Sequence, residues 1–191
     1  METCDVPTTC RGTGVPDATA RFLCILAAMV LLVLPSWAAR ADQTDPDARV
    51  PTIVADDLAR LLERKDVWVL YDVREPVEFA VSHIAGAQSV EQGVAYPDFV
   101  AANAERVRGK TVVFYCSTSA RSAEFALGVE DALLKSGAAA VYVLEGGVFA
   151  WHNQRRPLVD GKGATDFLHP FRTELQPMLT RQGMLRWSPR D

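Results

Sequence analysis

A cysteine and an arginine in one short segment, YCSTSARS at positions 115–122, are the residues of this sequence best suited to covalent chemistry. Apolar, β-prone residues at 111–115 lead into Cys116, and a helical pattern begins at Arg121. The amide groups at a helix N-terminus carry partial positive charge, and the arginine adds a full charge. These surroundings favour a thiolate over a thiol. The segment therefore predicts a nucleophilic cysteine with an anion-binding rim.

The same loop supplies the candidate site residues. Cys116 is the candidate catalytic residue, and the loop amides and hydroxyls can surround an anion beside it. No glycine and no charged residue stand between Cys116 and Arg121, so a left-handed backbone conformation there would strain a residue that has a side chain. The candidate substrate-binding residues are Ser117, Thr118, Ser119, Ala120, Arg121 and Ser122.

The first 41 residues have the composition of a targeting segment. Basic residues precede an apolar run at 22–34, and an Ala-x-Ala pattern ends at Ala41. This order is typical of a secretory signal peptide, and the alternative is an uncleaved membrane anchor. Cleavage would make Asp42 the first residue of a periplasmic or secreted protein, and 42–50 would be a polar linker.

Cleavage would also determine how many cysteines the mature chain contains. Three of the four cysteines, Cys4, Cys10 and Cys24, precede the predicted cleavage point, so the mature chain keeps only Cys116. A lone cysteine in an exported protein has no internal disulfide partner and remains a free thiol. Cys116 lies at the end of an apolar run and before polar residues, which favours a reactive thiol over a small buried hydrophobe.

Composition restricts the class of function. The chain has 191 residues, 49% of them hydrophobic, and a formal net charge of −4, as expected for one globular domain. Its mild acidity argues against nucleic acid as the main partner. The three histidines lack the spacing of metal ligands, so we expect no metal and no cofactor. His83 is expected in a turn, bonded to the backbone, and His152 and His169 at the surface.

Apolar runs and helical patterns alternate along the middle of the chain, with Asp56 as the expected N-cap of the first helix. This alternation predicts an α/β domain with a mostly parallel sheet and helices on both faces. Ligands bind such sheets at the carboxyl ends of the strands. Strands are predicted at 52–54, 67–73, 111–115 and 140–144, with a short extended piece within 84–90, and helices at 57–64, 77–82, 96–107, 121–136 and 148–154.

Three motifs stand at the predicted strand ends: DVREPVEFAVSHIAGA at 72–87, CSTSAR at 116–121 and LEGGVFAW at 144–151. Together they resemble the signatures of the rhodanese family of single-domain sulfurtransferases. The resemblance covers about 51–158, within a predicted domain at 51–160, and implies the rhodanese-like three-layer fold. A C-terminal extension at 161–191 remains. We expect it to pack on the domain, and a partner-binding or membrane-surface tail is the alternative.

The resemblance implies a persulfide cycle at Cys116. The thiolate would take the outer sulfur of a donor such as thiosulfate, and a thiophilic acceptor (cyanide, sulfite or a thiol) would remove it. One alternative is a non-enzymatic relay that hands sulfur to a partner protein. Related phosphatase loops are one residue longer than the six-residue loop from Cys116 to Arg121, so phosphatase-like activity is a minor alternative.

Four further residues are candidates for the pocket edge: Asp72, Arg74, Gly146 and Trp151. For Arg74 we favour an internal ion pair with Glu78 or Glu75, which would hold the turn. The pair of glycines at 146–147 is expected to permit a close approach of two backbone segments. For Trp151 the competing interpretation is a core position.

Overall fold

The computed structural model describes residues 50–190. The predicted signal peptide at 1–41 and nearly all of the linker at 42–50 lie outside this range, so cleavage, anchoring and export stay predictions. Among the described residues, no helix combines the length and the apolar character needed to cross a bilayer.

A sheet of five strands, each parallel to its neighbours, forms the centre of the domain. Its inner strands are rich in β-branched and aromatic residues, as expected for strands that are buried on both faces. Its outer strands, β1 and β3, are two residues long. The spatial order is β1-β5-β4-β2-β3, where β1 is Thr52–Ile53, β2 is Trp68–Asp72, β3 is Gln88–Ser89, β4 is Thr111–Tyr115 and β5 is Ala140–Leu144.

Helices cover both faces of this sheet. One buried cluster packs α3 and α4 against the face that carries Phe114, and the other packs α1 and α5 against the face that carries Tyr115. The predicted three-layer α/β fold with a parallel sheet is therefore confirmed. The helices are α1 Ala55–Leu62, α2 Pro76–Val81, α3 Tyr96–Val107, α4 Ala120–Lys135 and α5 Gly147–Asn153.

The bounds of α3, β4 and β5 agree with the prediction, and most other elements differ from it by one or two residues at an end. The N-cap prediction was wrong. Val54 precedes α1 in an extended conformation, and Asp56 lies inside the first helical turn with Asp57. Both carboxylates are favourable there, because the helix dipole is positive at that end.

The chain after α5 continues to pack on the same domain. β6 (Leu158–Asp160) and β7 (Gly163–Thr165) form an antiparallel hairpin, so the residues expected to begin an extension at 161 lie in its turn. Two short 3-10 helices follow, Thr173–Met178 and Gln182–Met184, in place of a regular α-helix. Pro177 within the first of them is consistent with the absence of a longer helix.

Two buried leucines anchor this C-terminal segment. Leu168 and Leu179 both belong to the cluster that packs α1 and α5 against the sheet. The backbone of Leu168 also bonds to Met184 and Arg186, which joins the two ends of the segment. The expectation that the extension packs on the domain is confirmed.

Replacing Leu168 by alanine tests whether this segment belongs to the cooperative fold. We expect Leu168→Ala to lower the free energy of unfolding by about 3 kcal/mol, because it leaves a cavity in the core. Met178→Ala, at a position that is 51% exposed, should change the free energy by less than about 0.5 kcal/mol. Urea denaturation of both variants measures the difference. Equal stability of the two variants would contradict the packing.

Candidate active site

Cys116 directly follows β4, the central strand, and the loop after it ends where α4 begins at Ala120. The residue is 1% exposed. One backbone donor reaches its sulfur: the Ser119 amide nitrogen lies 3.2 Å from Sγ. The Ser122 hydroxyl lies 3.7 Å from Sγ, but it donates at 2.9 Å to the Ser119 carbonyl. The loop thus presents a backbone amide to Cys116, as the sequence predicts.

Ser119 has the left-handed backbone conformation that a loop without glycine must impose on another residue. Its φ is 96°, a strained value for a residue with a side chain. The Ser119 hydroxyl donates a hydrogen bond to the Thr118 carbonyl and accepts one from the Gly146 amide at 3.1 Å. These two hydrogen bonds hold the side chain of the strained residue. The same turn directs the Ser119 amide to Cys116. Thr118 is half-buried and Ala120 is exposed at the start of α4.

The first turn of α5 holds the loop from the other side. The Val148 and Phe149 amides donate to the carbonyls of Cys116 and Ser117 at 2.8 and 3.1 Å. Gly147, with a φ of 58°, allows this approach: a Cβ atom there would lie 2.4 Å from the Cys116 carbonyl oxygen. The close approach predicted from the glycine pair is confirmed.

Glu78 in α2 is the centre of the hydrogen-bond network around the loop. Its carboxylate, 1% exposed, accepts two hydrogen bonds from Arg121, at 2.9 and 3.0 Å, and one from the Ser117 hydroxyl at 2.8 Å. The Glu75 amide donates to it as well, in the capping box of α2. One buried carboxylate therefore joins α2, the cysteine loop and α4.

Arg121 is a structural clamp on the loop, and its charge is compensated. Burial opposes ionisation of Glu78, but the hydrogen bonds and the charge of Arg121, with help from Ser117 and Arg74, bring the pKa of Glu78 below its usual range. The Arg121 guanidinium also donates to the Ser117 hydroxyl at 3.1 Å. The ring of Phe171, from the C-terminal segment, lies 3.9 Å from this guanidinium.

The sequence reasoning missed Glu78 as a partner of Arg121, and it missed Phe171 entirely. A signal for Glu78 was present, because a glutamate three residues after an N-cap is typical of a capping box and lies near the helix start. No local pattern pointed to Phe171.

Asp72 and Arg74 form a buried ion pair beside the loop. The Arg74 guanidinium bonds to the Asp72 carboxylate at 2.6 Å and to the Ser82 carbonyl at 2.7 Å, and neither side chain is exposed. The predicted partners, Glu78 and Glu75, were wrong. The Arg74 side chain folds back onto Asp72, two positions earlier in the chain. The Arg74 amide also donates a hydrogen bond to the Asp72 carboxylate. Burial disfavours the guanidinium charge, but Asp72 keeps the pKa of Arg74 above its usual range.

The histidines and Trp151 take structural positions. His83 bonds through Nδ1 to the Phe79 carbonyl at 3.0 Å, which confirms the expected backbone contact, but the residue pairs with Val159 in an isolated β-bridge and does not lie in a turn. His152 and His169 were expected at the surface, and both are buried instead. His152 bonds to the Asp166 carbonyl, and His169 Nδ1 accepts the Phe171 amide. Trp151 is buried and donates to the Pro157 carbonyl, as a core residue does.

The structure therefore brings together Cys116, Ser117, Ser119, Arg121, Ser122 and Gly146. The side chains of Asp72, Arg74 and Trp151 bond to other parts of the domain. Within residues 50–190, the His, Cys, Asp and Glu side chains form no group of three that could hold a metal ion.

Substituting Glu78 tests the central position of its carboxylate. We expect Glu78→Gln to lower the free energy of unfolding by about 3 kcal/mol at neutral pH, because Arg121 loses its buried counter-charge. The Glu78 pKa is lowered from an ordinary value of 4.5, so its contribution is present above pH 4.5 and is lost as the pH falls below that value. Urea denaturation across this range should show a weaker acid dependence in Glu78→Gln than in the unmodified protein. The exposed Glu124→Gln is the control, and an equal acid dependence in both variants would contradict the assignment.

Substituting Gly147 tests the contact between α5 and the loop. We expect Gly147→Ala to displace the loop and to destabilise the fold by about 3 kcal/mol, because the added methyl group meets backbone atoms and the φ is positive. Gly109→Ala is the matched control, since Gly109 also has a positive φ but no atom lies within 4 Å of the position that its added methyl group would take. Its expected cost is about 1 kcal/mol. Equal costs would show that the close approach contributes nothing.

Comparison with known proteins covers the part of the chain that carries this loop. A model of the rhodanese-like domain matches residues 54–154. The uncharacterized protein slr1261 of Synechocystis sp. is 35% identical over 111 residues, which are 58% of this chain and 58% of that protein. The probable adenylyltransferase/sulfurtransferase MoeZ of Mycobacterium tuberculosis is 33% identical over 117 residues, 61% of this chain and 28% of that protein.

Among solved structures, the thiosulfate sulfurtransferase of Pseudomonas aeruginosa aligns with a TM-score of 0.49 and 23% identity, over 60% of this chain and 20% of that one. The chain thus spans less than two thirds of the length of each of these three proteins. The domain match covers more than half of this chain and includes Cys116, Glu78 and Arg121. The chain belongs to the rhodanese-like domain family.

Proposed function

We propose that this protein is a sulfurtransferase that carries a sulfane sulfur as a persulfide on Cys116. The observation that carries the proposal is the hydrogen bond from the Ser119 amide to the Cys116 sulfur within a six-residue loop at the end of β4. A donor fixed in this way stabilises negative charge on a sulfur atom without any rearrangement during the reaction. The sulfurtransferase named among the relatives supports the same activity.

The reaction has two halves. The Cys116 thiolate attacks the outer sulfur of the donor, the donor bond to that sulfur breaks, and the leaving group departs with the electron pair. A thiophilic acceptor then attacks the outer sulfur of the persulfide, and the Cys116 thiolate is regenerated. Thiosulfate is the simplest donor and leaves as sulfite. Cyanide, sulfite and thiols are the simplest acceptors.

The size and the bonding of the loop favour sulfur over phosphate. A six-residue loop encloses a single sulfur atom more readily than a tetrahedral phosphoryl group. Arg121, which would bind a phosphoryl oxygen in a phosphatase, is instead bonded to Glu78 and Ser117 and covered by Phe171. We therefore favour sulfur transfer over phosphatase-like activity.

A second candidate is a relay module, in which the Cys116 persulfide passes to a partner protein without turnover of a small acceptor. The burial of Cys116 favours this candidate, because a partner that opens the loop would gain access that free acceptors lack. The relative MoeZ also contains its matching region within a much longer chain. For either function we propose export through the segment at 1–41, to the periplasm or the exterior.

Labelling with a sulfane-sulfur donor tests the proposal. The full chain is incubated with thiosulfate, digested and examined by mass spectrometry. We expect the Cys116 peptide to gain the mass of one sulfur atom and to lose it on addition of cyanide, with release of thiocyanate. Cys116→Ser should remove the thiocyanate production, because Cys116 is the one cysteine among residues 50–190 and Cys4, Cys10 and Cys24 all precede the predicted cleavage point.

The outcomes separate the candidates. Repeated release of thiocyanate supports the enzyme, whereas a gain of one sulfur atom on Cys116 without turnover of cyanide supports the relay. Unchanged thiocyanate production in Cys116→Ser would overturn both. Release of phosphate from an aryl phosphate, without sulfur on Cys116, would favour the phosphatase-like alternative.

A further inference from the structure

If the sulfur donor is anionic, an uncompensated positive charge beside the cysteine loop would help to bind it. The arginines near the loop in the described part of the family domain do not supply such a charge. Sulfane-sulfur donors such as thiosulfate carry negative charge, and the Cys116 thiolate adds more. The loop interior at 117–120 has no charged side chain. Arg121 is paired with Glu78, and Arg74 is paired with Asp72, so each of these two cations near the loop is neutralised by a buried carboxylate.

We infer that Arg172, held on the ring of Phe171, binds the anionic end of the sulfur donor. Both residues lie outside the region at 54–154 that matches the family domain. The inference rests on the proposed function, and it deepens that function by naming a binding residue and the charge class of the donor.

The Phe171 ring connects Arg172 to the loop. The Arg121 guanidinium lies 3.9 Å from the ring centre, and the Arg172 guanidinium lies 4.6 Å from it. Arg121 in turn donates to the Ser117 hydroxyl, next to Cys116. Arg172 thus shares one aromatic ring with Arg121, although it is 56 positions further along the chain than Cys116.

The backbone at Phe171 is strained in a way that maintains this arrangement. Its φ is 62°, an uncommon value for a bulky residue, and such outliers concentrate at functional sites. The Phe171 amide donates to Nδ1 of His169 at 3.1 Å, and the Arg172 amide donates to the Pro170 carbonyl at 2.7 Å. The turn directs the Phe171 ring towards Arg121 and leaves Arg172 exposed beside it.

Arg172 differs from the other cations near the loop because its charge is available. No carboxylate within residues 50–190 forms an ion pair with it. His169 adds no charge at neutral pH, because burial lowers its pKa. An exposed guanidinium fixed on an aromatic ring has fewer conformations to lose when it binds an oxyanion.

Two donors that differ by one charge test this inference. Thiosulfate is a dianion, and methanethiosulfonate is a monoanion in which a methyl group replaces one oxygen. With thiosulfate, the Cys116 sulfur bonds to the outer sulfur, the S–S bond of the donor breaks, and sulfite leaves with its electron pair. With methanethiosulfonate the same bonds form and break, and methanesulfinate leaves.

The readout is kcat/KM for each donor with cyanide as the acceptor, measured on the full chain and corrected by a Cys116→Ser background. We expect Arg172→Gln to lower kcat/KM about fivefold for thiosulfate and about twofold for methanethiosulfonate, because the lost interaction scales with donor charge. Arg172→Lys keeps the positive charge, so it should retain most of the difference in kcat/KM between the two donors that the unmodified protein shows. Arg64→Gln removes another exposed arginine, which follows the end of α1, and should change neither value.

Each result supports or overturns the inference. The inference is supported if Arg172→Gln lowers kcat/KM more for thiosulfate than for methanethiosulfonate and if Arg172→Lys restores the value for thiosulfate. Equal losses for both donors would show a structural effect and overturn it, as would no change in Arg172→Gln. If the unmodified protein transfers sulfur from neither donor, the proposed function itself fails, and that outcome is distinct from a loss of charge selectivity.

Discussion

The candidate active site depends on one buried carboxylate. Glu78 would be strongly unfavourable in its position without partners, because a charge removed from water costs several kcal/mol. Its partners are a side chain of α4 and a hydroxyl of the cysteine loop, so the loop shape and the docking of α2 stabilise one another. This mutual dependence explains how Ser119 can keep a strained conformation and still present its amide to Cys116. The environment of Cys116 thus depends on an interaction of Glu78, which is remote from it in sequence.

The sequence was sufficient for the features that depend on local patterns. β4, β5 and α3 could be bounded correctly because each is a continuous run with one periodicity, and the loop at 116–121 follows from the position of β4. The contact between Glu78 and Arg121 joins residues 43 positions apart, and no local pattern specifies such a pairing. Arg74 illustrates the same limit: a later glutamate was the expected partner, but the side chain turns back towards Asp72.

The C-terminal segment was harder to predict for a different reason. Its apolar residues follow no helical or strand period, and Pro170 and Pro177 interrupt it, so its structure comes from long-range packing alone. Burial of His169 and His152 has the same origin, since each packs in the tertiary structure and bonds to the backbone through one ring nitrogen. The C-terminal segment, which lies outside the family domain, is therefore the part of the candidate site that only the tertiary structure reveals.

The shortness of the two outer strands has a consequence for aggregation. β1 and β3, the edges of the parallel sheet, each contain only two residues, whereas the strands between them contain five. A long exposed edge presents unpaired amides and carbonyls, which can template the addition of a strand from another molecule. Short edges limit this hazard. The protein can thus keep a strongly apolar β-rich centre, with little surface from which aggregation through edge-to-edge pairing could begin.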